Sequence, residues 1–158
     1  MFYDFIFDKV DGSGKILLSD YAGKVVLVSN TASACGFTPQ YAELEALWKK
    51  YKDRGLIVIG VPSDDFGGQE PLNNTEIGTF CELNFGVTFL ITQKLHVTGK
   101  EAHPFFLWTK KEFGFLAGPK WNFYKFLIGK NGEPIEWFSS FRSPLSKNVT
   151  DLIEKNLP

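Results

Sequence analysis

Val25-Val26-Leu27-Val28, then Leu44-Glu45-Ala46-Leu47-Trp48-Lys49-Lys50-Tyr51, then Leu56-Ile57-Val58-Ile59-Gly60-Val61 are the stretches that decide the fold. The first and last are apolar, β-branched runs without alternation, the pattern of strands covered on both faces. Between them Leu44, Leu47, Trp48 and Tyr51 recur at i, i+3, i+4 and i+7, while Glu43, Glu45, Lys49 and Lys50 take the other faces. That spacing predicts an amphipathic helix. Thr38-Pro39 offers a capping hydroxyl followed by a proline at the first helical position, and Gly55 marks the end. Strand, helix and strand together form a βαβ crossover with parallel pairing and a right-handed connection. The fold class is α/β.

Outward from this unit, Phe5-Ile6-Phe7 and Ile16-Leu17-Leu18 flank Asp11-Gly12-Ser13-Gly14 and predict an N-terminal β-hairpin. Further helices are expected over 75–84, 103–113 and 147–157, and a second hairpin joins 125–128 to 135–139 around Asn131-Gly132. Neither an internal repeat nor a Pro/Gly/Ser-rich linker divides the chain. One domain over residues 1–158 is therefore expected, a length that buries roughly 70% of the unfolded surface.

Lys plus Arg number 17 and Asp plus Glu 18, a formal charge of −1, so no overall field draws the chain to nucleic acid or an anionic membrane. Hydrophobic residues are 44% and charged residues 22%, a mixture that folds rather than one that stays disordered. The apolar runs fall well short of the roughly 18 residues a membrane helix needs. Met1 to Val10 carries Asp4 and Asp8 and lacks the basic head and cleavage site of a signal peptide, so a cytoplasmic protein is expected. On that footing Asn73-Asn74-Thr75 and Asn148-Val149-Thr150 are chance matches to the glycosylation pattern.

The chain holds two cysteines, Cys35 and Cys81, neither in a CxxC pair. Metal binding through paired thiolates is not expected, nothing in the pattern asks for a cofactor, and local dithiol exchange is excluded because Thr38 stands where the second sulfur would be. Cys35 lies just past a central strand and just before a helix start, where free N–H groups and the helix dipole favour a thiolate. Position alone also allows a small buried residue without a role. Cys81, within Phe80-Cys81-Glu82-Leu83 on a predicted helix, reads as core filler or as a distant resolving thiol. His96 and His103 have no Asp partner nearby in sequence, and neither is read as a catalytic base.

Asn30-Thr31-Ala32-Ser33-Ala34-Cys35-Gly36-Phe37-Thr38-Pro39-Gln40-Tyr41 resembles the active-site signature of the glutathione peroxidase family, with cysteine where some members carry selenocysteine. Phe66-Gly67-Gly68-Gln69-Glu70-Pro71 and Trp121-Asn122-Phe123-Tyr124-Lys125-Phe126-Leu127-Ile128 agree in order and spacing. The resemblance runs from about residue 3 to 157. It implies a thioredoxin-like fold, a central mixed sheet flanked by helices with an added N-terminal hairpin, and reduction of hydrogen peroxide and organic or lipid hydroperoxides by a thiol. It assigns Cys35 as the peroxidatic nucleophile and Gln69, Trp121 and Asn122 as the rest of a catalytic tetrad. Amide and indole N–H groups are neutral donors that can steady a thiolate and orient a peroxide without trapping either in an ion pair.

The resemblance also implies a second thiol for regeneration. With Cys81 resolving, the reductant is thioredoxin; without it, glutathione attacks the sulfenic acid directly. A peroxide sensor that relays oxidation to a partner protein uses the same residues, and a binding module with a dead site predicts no sulfenic acid at all. The short stretch from His103-Pro104 to Trp121 resembles members that lack the subunit-interface insertion, so a monomer is expected. Two departures matter. Ser63 stands where the family commonly has cysteine, and Asp64 and Asp65 replace two amides and would repel a thiolate unless they face solvent. Lys125 is read either as an attractor of anionic thiols or lipid head groups or as a solvated charge.

Overall fold

Backbone hydrogen bonding in the computed structural model, which describes residues 1–158, defines seven strands and four α-helices. They are β1 (Ile6–Asp8), β2 (Lys15–Leu17), β3 (Val25–Thr31), α1 (Gln40–Tyr51), β4 (Leu56–Pro62), α2 (Asn74–Phe85), β5 (Leu90–Ile91), α3 (Pro104–Phe113), β6 (Lys125–Ile128), β7 (Pro134–Phe138) and α4 (Lys147–Asn156). The main sheet has the order β5-β4-β3-β6-β7. β3 and β4 pair in parallel from Val25 opposite Leu56 to Thr31 opposite Pro62, and β5 continues parallel to β4. β6 and β7 add to the other side antiparallel, so the sheet is mixed. β1 and β2 form the separate antiparallel hairpin.

All seven residues of β3 are buried, which explains its lack of polar alternation. Its odd positions, Val25 and Leu27, pack with Leu44, Leu47 and Tyr51 of α1, Ile77 and Cys81 of α2, and Val149 and Ile153 of α4. Its even positions, Val26 and Val28, pack with Ile59 and Val61 of β4, Phe105 and Phe106 of α3, and Phe7 and Ile16 of the hairpin. At about 1.5–3 kcal/mol for each large apolar side chain taken from water, these two layers drive folding and hold β3 rigid between them.

Several local expectations change once the chain is packed. The Thr38 hydroxyl does not cap α1: it donates to Ala32 O and accepts from the Cys35 N–H, both at 2.8 Å, and the helix proper starts at Gln40. Glu45 turns inward and is 4% exposed. Its carboxylate accepts from the N–H groups of Thr88 and Phe89 and from the Thr88 hydroxyl. Those bonds hold the turn that feeds β5, a two-residue strand too short to carry any periodicity. His103 caps α3: its Nδ1 accepts from Phe105 N–H at 3.1 Å and its Nε2 lies 2.8 Å from Ile6 O. The proton therefore sits on Nε2, burial lowers the pKa, and the neutral ring stacks on Phe7 and ties the hairpin to α3.

Removing Glu45 leaves the buried Phe89 N–H and the part-buried Thr88 donors without their acceptor. Glu45→Ala is expected to lower stability by about 3 kcal/mol in urea unfolding followed by circular dichroism. Lys49→Ala, one helical turn away and 61% exposed at its side chain, is expected to cost less than about 1 kcal/mol. Equal losses in the two variants would refute the inward role of Glu45.

Candidate active site

Cys35 follows the C-terminal end of β3, in the turns that lead into α1, and is 9% exposed. Its Sγ accepts from the Phe37 N–H at 3.3 Å, and its own N–H is held by Thr38. The sulfur thus sits on a backbone fixed by these bonds, with a main-chain donor already aimed at it.

Gln69 is brought to this turn by the loop after β4. Its carbonyl accepts from Ala34 N–H at 3.0 Å, so it is tied to the residue next to Cys35. Its side-chain Oε1 accepts from Asn122 Nδ2 at 3.1 Å, which leaves the Gln69 amide nitrogen free to donate. Asn122 is fully buried, and its carbonyl accepts from the Ser140 hydroxyl. Trp121 is half-buried and packs against the layer that contains Cys35. One edge of its indole rests on Gly67, where a Cβ would come within 3.0 Å of the ring and where φ is +68°. Glycine meets both requirements there.

Asn30, near the end of β3, holds the 121–124 turn. Its Nδ2 donates to Trp121 O at 2.9 Å, its carbonyl accepts from Phe123 N–H at 2.6 Å, and its Oδ1 accepts from Tyr124 N–H at 3.1 Å. Phe123 is a non-glycine residue at φ +63°, a backbone state that persists only when its surroundings enforce it. Sequence reasoning gave Asn30 no role, although a polar Ser29-Asn30-Thr31 ending to an apolar strand is a usable signal. It also gave none to Glu70, which is buried, bonds the Ser33 hydroxyl, and has its pKa raised, chiefly by burial.

Cys81 is 1% exposed on the inner face of α2, and both thiols are free. Burial, with a smaller contribution from the Glu70 charge, pushes the Cys81 thiol up to about 11. The Tyr41 hydroxyl beside it, Thr31 Oγ1 and Glu70 Oε1 are all buried without a hydrogen-bond partner. A cleft of about 530 Å³ opens between α2, β5 and the hairpin turn, and Cys81 is part of its wall.

The two added carboxylates do not confront the Cys35 sulfur with free charge. Asp64 Oδ1 accepts from Glu70 N–H at 3.1 Å. Asp65 accepts from the N–H groups of Val97 and Thr98 and pairs with His96 Nδ1 at 2.7 Å. His96 thus has an aspartate partner, supplied from 31 residues away. Lys125 is neither solvated nor open to ligands: it is fully buried, and its Nζ donates to Gln40 Oε1 at 2.8 Å. No three His, Cys, Asp or Glu side chains converge to hold a metal ion. No helix is long and apolar enough to cross a membrane.

A family model described as glutathione peroxidase matches residues 2–110. The chain is 52% identical over 145 residues to a glutathione peroxidase of Lactococcus lactis subsp. cremoris, covering 90% of this chain and 92% of that protein. It is 49% identical over 146 residues to the glutathione peroxidase-like peroxiredoxin gpx1 of Schizosaccharomyces pombe, covering 90% and 91%. The solved structure of Trgpx in apo form superposes with a TM-score of 0.78 at 38% identity, over 98% of this chain and 94% of the other. A thioredoxin family thiol:disulfide interchange protein from Chlorobium tepidum TLS superposes at 0.71 with 16% identity, covering 98% of this chain and 93% of that one, a likeness that shows the thioredoxin fold alone.

The Asp65–His96 pair generates a pH test. Burial raises the Asp65 carboxyl, but the hydrogen bonds from His96, Val97 and Thr98 outweigh it and leave the pKa lowered. The bond to Asp65, then its charge, raises the His96 imidazole. Stability from His96 is complete below its unfolded pKa of about 6.5 and lost as pH rises through the higher folded value. Stability from Asp65 is present above about 3.9 and lost as pH falls through the lower folded value. Asp65→Asn is therefore expected to lower the melting temperature more at pH 5.5 than at pH 8.5. A larger loss at the alkaline end would contradict the pairing.

Proposed function

This chain belongs to the glutathione peroxidase family and is a thiol-dependent peroxidase, and on that footing we propose that Cys35 is its peroxidatic thiol, served by Gln69, Trp121 and Asn122. The observation that carries the assignment is the tie from Ala34 to Gln69 to Asn122, with Trp121 clamped by Asn30 on the other side. Four residue types suited to peroxide chemistry, spread over 88 positions from 35 to 122, are assembled at one end of the central strands.

The Cys35 thiolate attacks the terminal oxygen of a hydroperoxide. The O–O bond breaks, the S–O bond forms, and the leaving alkoxide or hydroxide takes a proton to become alcohol or water, leaving a sulfenic acid. Backbone and side-chain N–H groups lower the barrier by facing the oxygens on which charge develops. Resolution is by Cys81: its sulfur displaces water from the sulfenic acid, and a dithiol protein of the thioredoxin type reduces the resulting disulfide. The peroxiredoxin name of the Schizosaccharomyces pombe relative supports this reductant over glutathione.

A buried Cys81 on a helix requires α2 to leave its seat before its Cα comes within the roughly 6 Å a disulfide requires. Three features favour that release. Asn74, Thr75, Gly78, Thr79, Cys81 and Asn84 are weak helix formers. The cleft runs along one flank of α2, past Asn74, Gly78 and Glu82, so that flank is not packed against protein. The unpartnered Tyr41 and Thr31 hydroxyls and the Glu70 oxygen lie in the buried layer beneath α2, so unseating it gives them access to water. We read the protein as a one-domain monomer that acts in the cytoplasm against oxidative stress.

Cys35→Ser is expected to abolish hydroperoxide consumption. Cys81→Ser is expected to keep one stoichiometric oxidation, trapped by dimedone, and to lose thioredoxin-coupled NADPH oxidation. Unchanged thioredoxin-coupled turnover in Cys81→Ser would remove Cys81 as the resolving thiol.

A further inference from the structure

A second hydrogen-bonded path reaches Asn122 from the interior. Lys125 Nζ, at the start of β6, donates to Gln40 Oε1 at 2.8 Å. Gln40 Nε2, in the first turn of α1, donates to Ser140 O at 2.7 Å. The Ser140 hydroxyl, just beyond β7, donates to Asn122 O, and Asn122 Nδ2 donates to Gln69 Oε1. All of these residues except Gln69 are buried, with Lys125 and Asn122 fully so. We propose that Lys125 is a positioning residue for peroxide reduction: through Gln40 and Ser140 it sets where Asn122 holds its amide against Gln69.

Which atoms can donate fixes how this path is oriented. An amide presents one acceptor and one donor end, so its orientation is decided by its partners. While protonated, Lys125 has only protons to offer, which forces Gln40 Oε1 toward it and Nε2 toward the Ser140 carbonyl; the neutral amine gains a lone pair and no longer enforces that choice. Without Lys125 the Gln40 amide loses the partner that selects this orientation, and a flipped amide would set oxygen against the Ser140 carbonyl. Ser140 would then shift, and with it the Asn122 backbone, the part of Asn122 not held by Gln69. Asn30 fixes the residues on either side of Asn122, but Asn122 itself is held only through its bond to Gln69 and the Ser140 hydroxyl on its carbonyl, because its own Oδ1 is unpartnered.

The lysine has no carboxylate within ion-pair reach. Glu43 on α1 faces it at longer range and favours its charge, while Arg142 in the segment after β7 opposes it; its β3 partner Ser29 and its β7 partner Phe138 carry no charge. Burial dominates and lowers the amine to about 7. Above that value Lys125 is a neutral amine and its bond to Gln40 loses the strength that charge confers. The path to Asn122 therefore changes within the working range of pH.

This inference deepens the peroxidase reading and rests on it for its kinetic arm only. The first measurement is the side-chain amide resonance of Asn122 in ¹⁵N-labelled Cys35→Ser protein, where no peroxidatic thiol titrates. That resonance is expected to shift with a midpoint near 7 and to stay flat in the same protein carrying Lys125→Met. The second is the rate of Cys35 oxidation by hydrogen peroxide, expected to fall by about tenfold or more in Lys125→Met, below the roughly hundredfold that a 1 Å misplacement can cost. An Asn122 amide indifferent to pH between 6 and 8.5, or an unchanged rate in a folded Lys125→Met, overturns the proposal. A flat Asn122 resonance in the Cys35→Ser protein overturns the proposal without any substitution at Lys125, so it decides even if that variant fails to fold. A wild-type protein whose Cys35 resists peroxide would sink the peroxidase reading instead, and the Asn122 titration would still stand or fall by itself.

Discussion

The hold of Asn30 on the 121–124 turn is the constraint on which the site depends. β3 is buried along its whole length, and Asn30 sits near its end with a side chain that both donates and accepts. Three hydrogen bonds convert the rigidity of the strand into a fixed position for a loop 91 residues away. The left-handed backbone at Phe123 costs of order 1–3 kcal/mol, and its fully buried ring, edge-on to Tyr41 at 5.4 Å, helps to offset that cost. Cys35 follows Asn30 by only five residues. One buried strand end thus carries both the turn that holds Cys35 and the bonds that fix the 121–124 turn.

The two thiols live under opposite conditions. Cys35 is held by backbone bonds at the edge of the core with an N–H directed at its sulfur. Cys81 is sealed beneath a helix whose seat contains unpartnered oxygen atoms. Such atoms weaken the packing relative to a core of purely apolar groups, and they do so beneath α2. Stability is withheld locally from α2 while β3 and α1 remain tightly packed, a distribution common where function needs local opening.

Periodicity and turn chemistry carried most of the architecture. The unbroken apolar runs at 25–28 and 56–61 could only be strands buried on both sides, and the i, i+3, i+4, i+7 spacing between them could only be a helix laid on their sheet. Asn131-Gly132 and Pro104 marked a hairpin and a helix start for the same local reasons. What escaped was short or polar. β5 has two residues and exists because Glu45 secures the turn before it. Glu45 and Lys125 look like surface charges in any one-dimensional reading, and Thr38 looks like a helix cap, because a sequence does not say which neighbour will present the competing donor or acceptor.

The candidate site divides along the same line. The resemblance of three ordered blocks to the glutathione peroxidase family was enough to name Cys35, Gln69, Trp121 and Asn122 as candidates, since each lies in a short stretch of recognisable residues. Their mutual placement was not, and neither were Asn30, Gln40, Ser140 and Lys125, nor the aspartate that pairs with His96. Those relations join positions dozens of residues apart, and their energies come from burial and from who donates to whom, quantities that come into being only when the strands have paired and water has left.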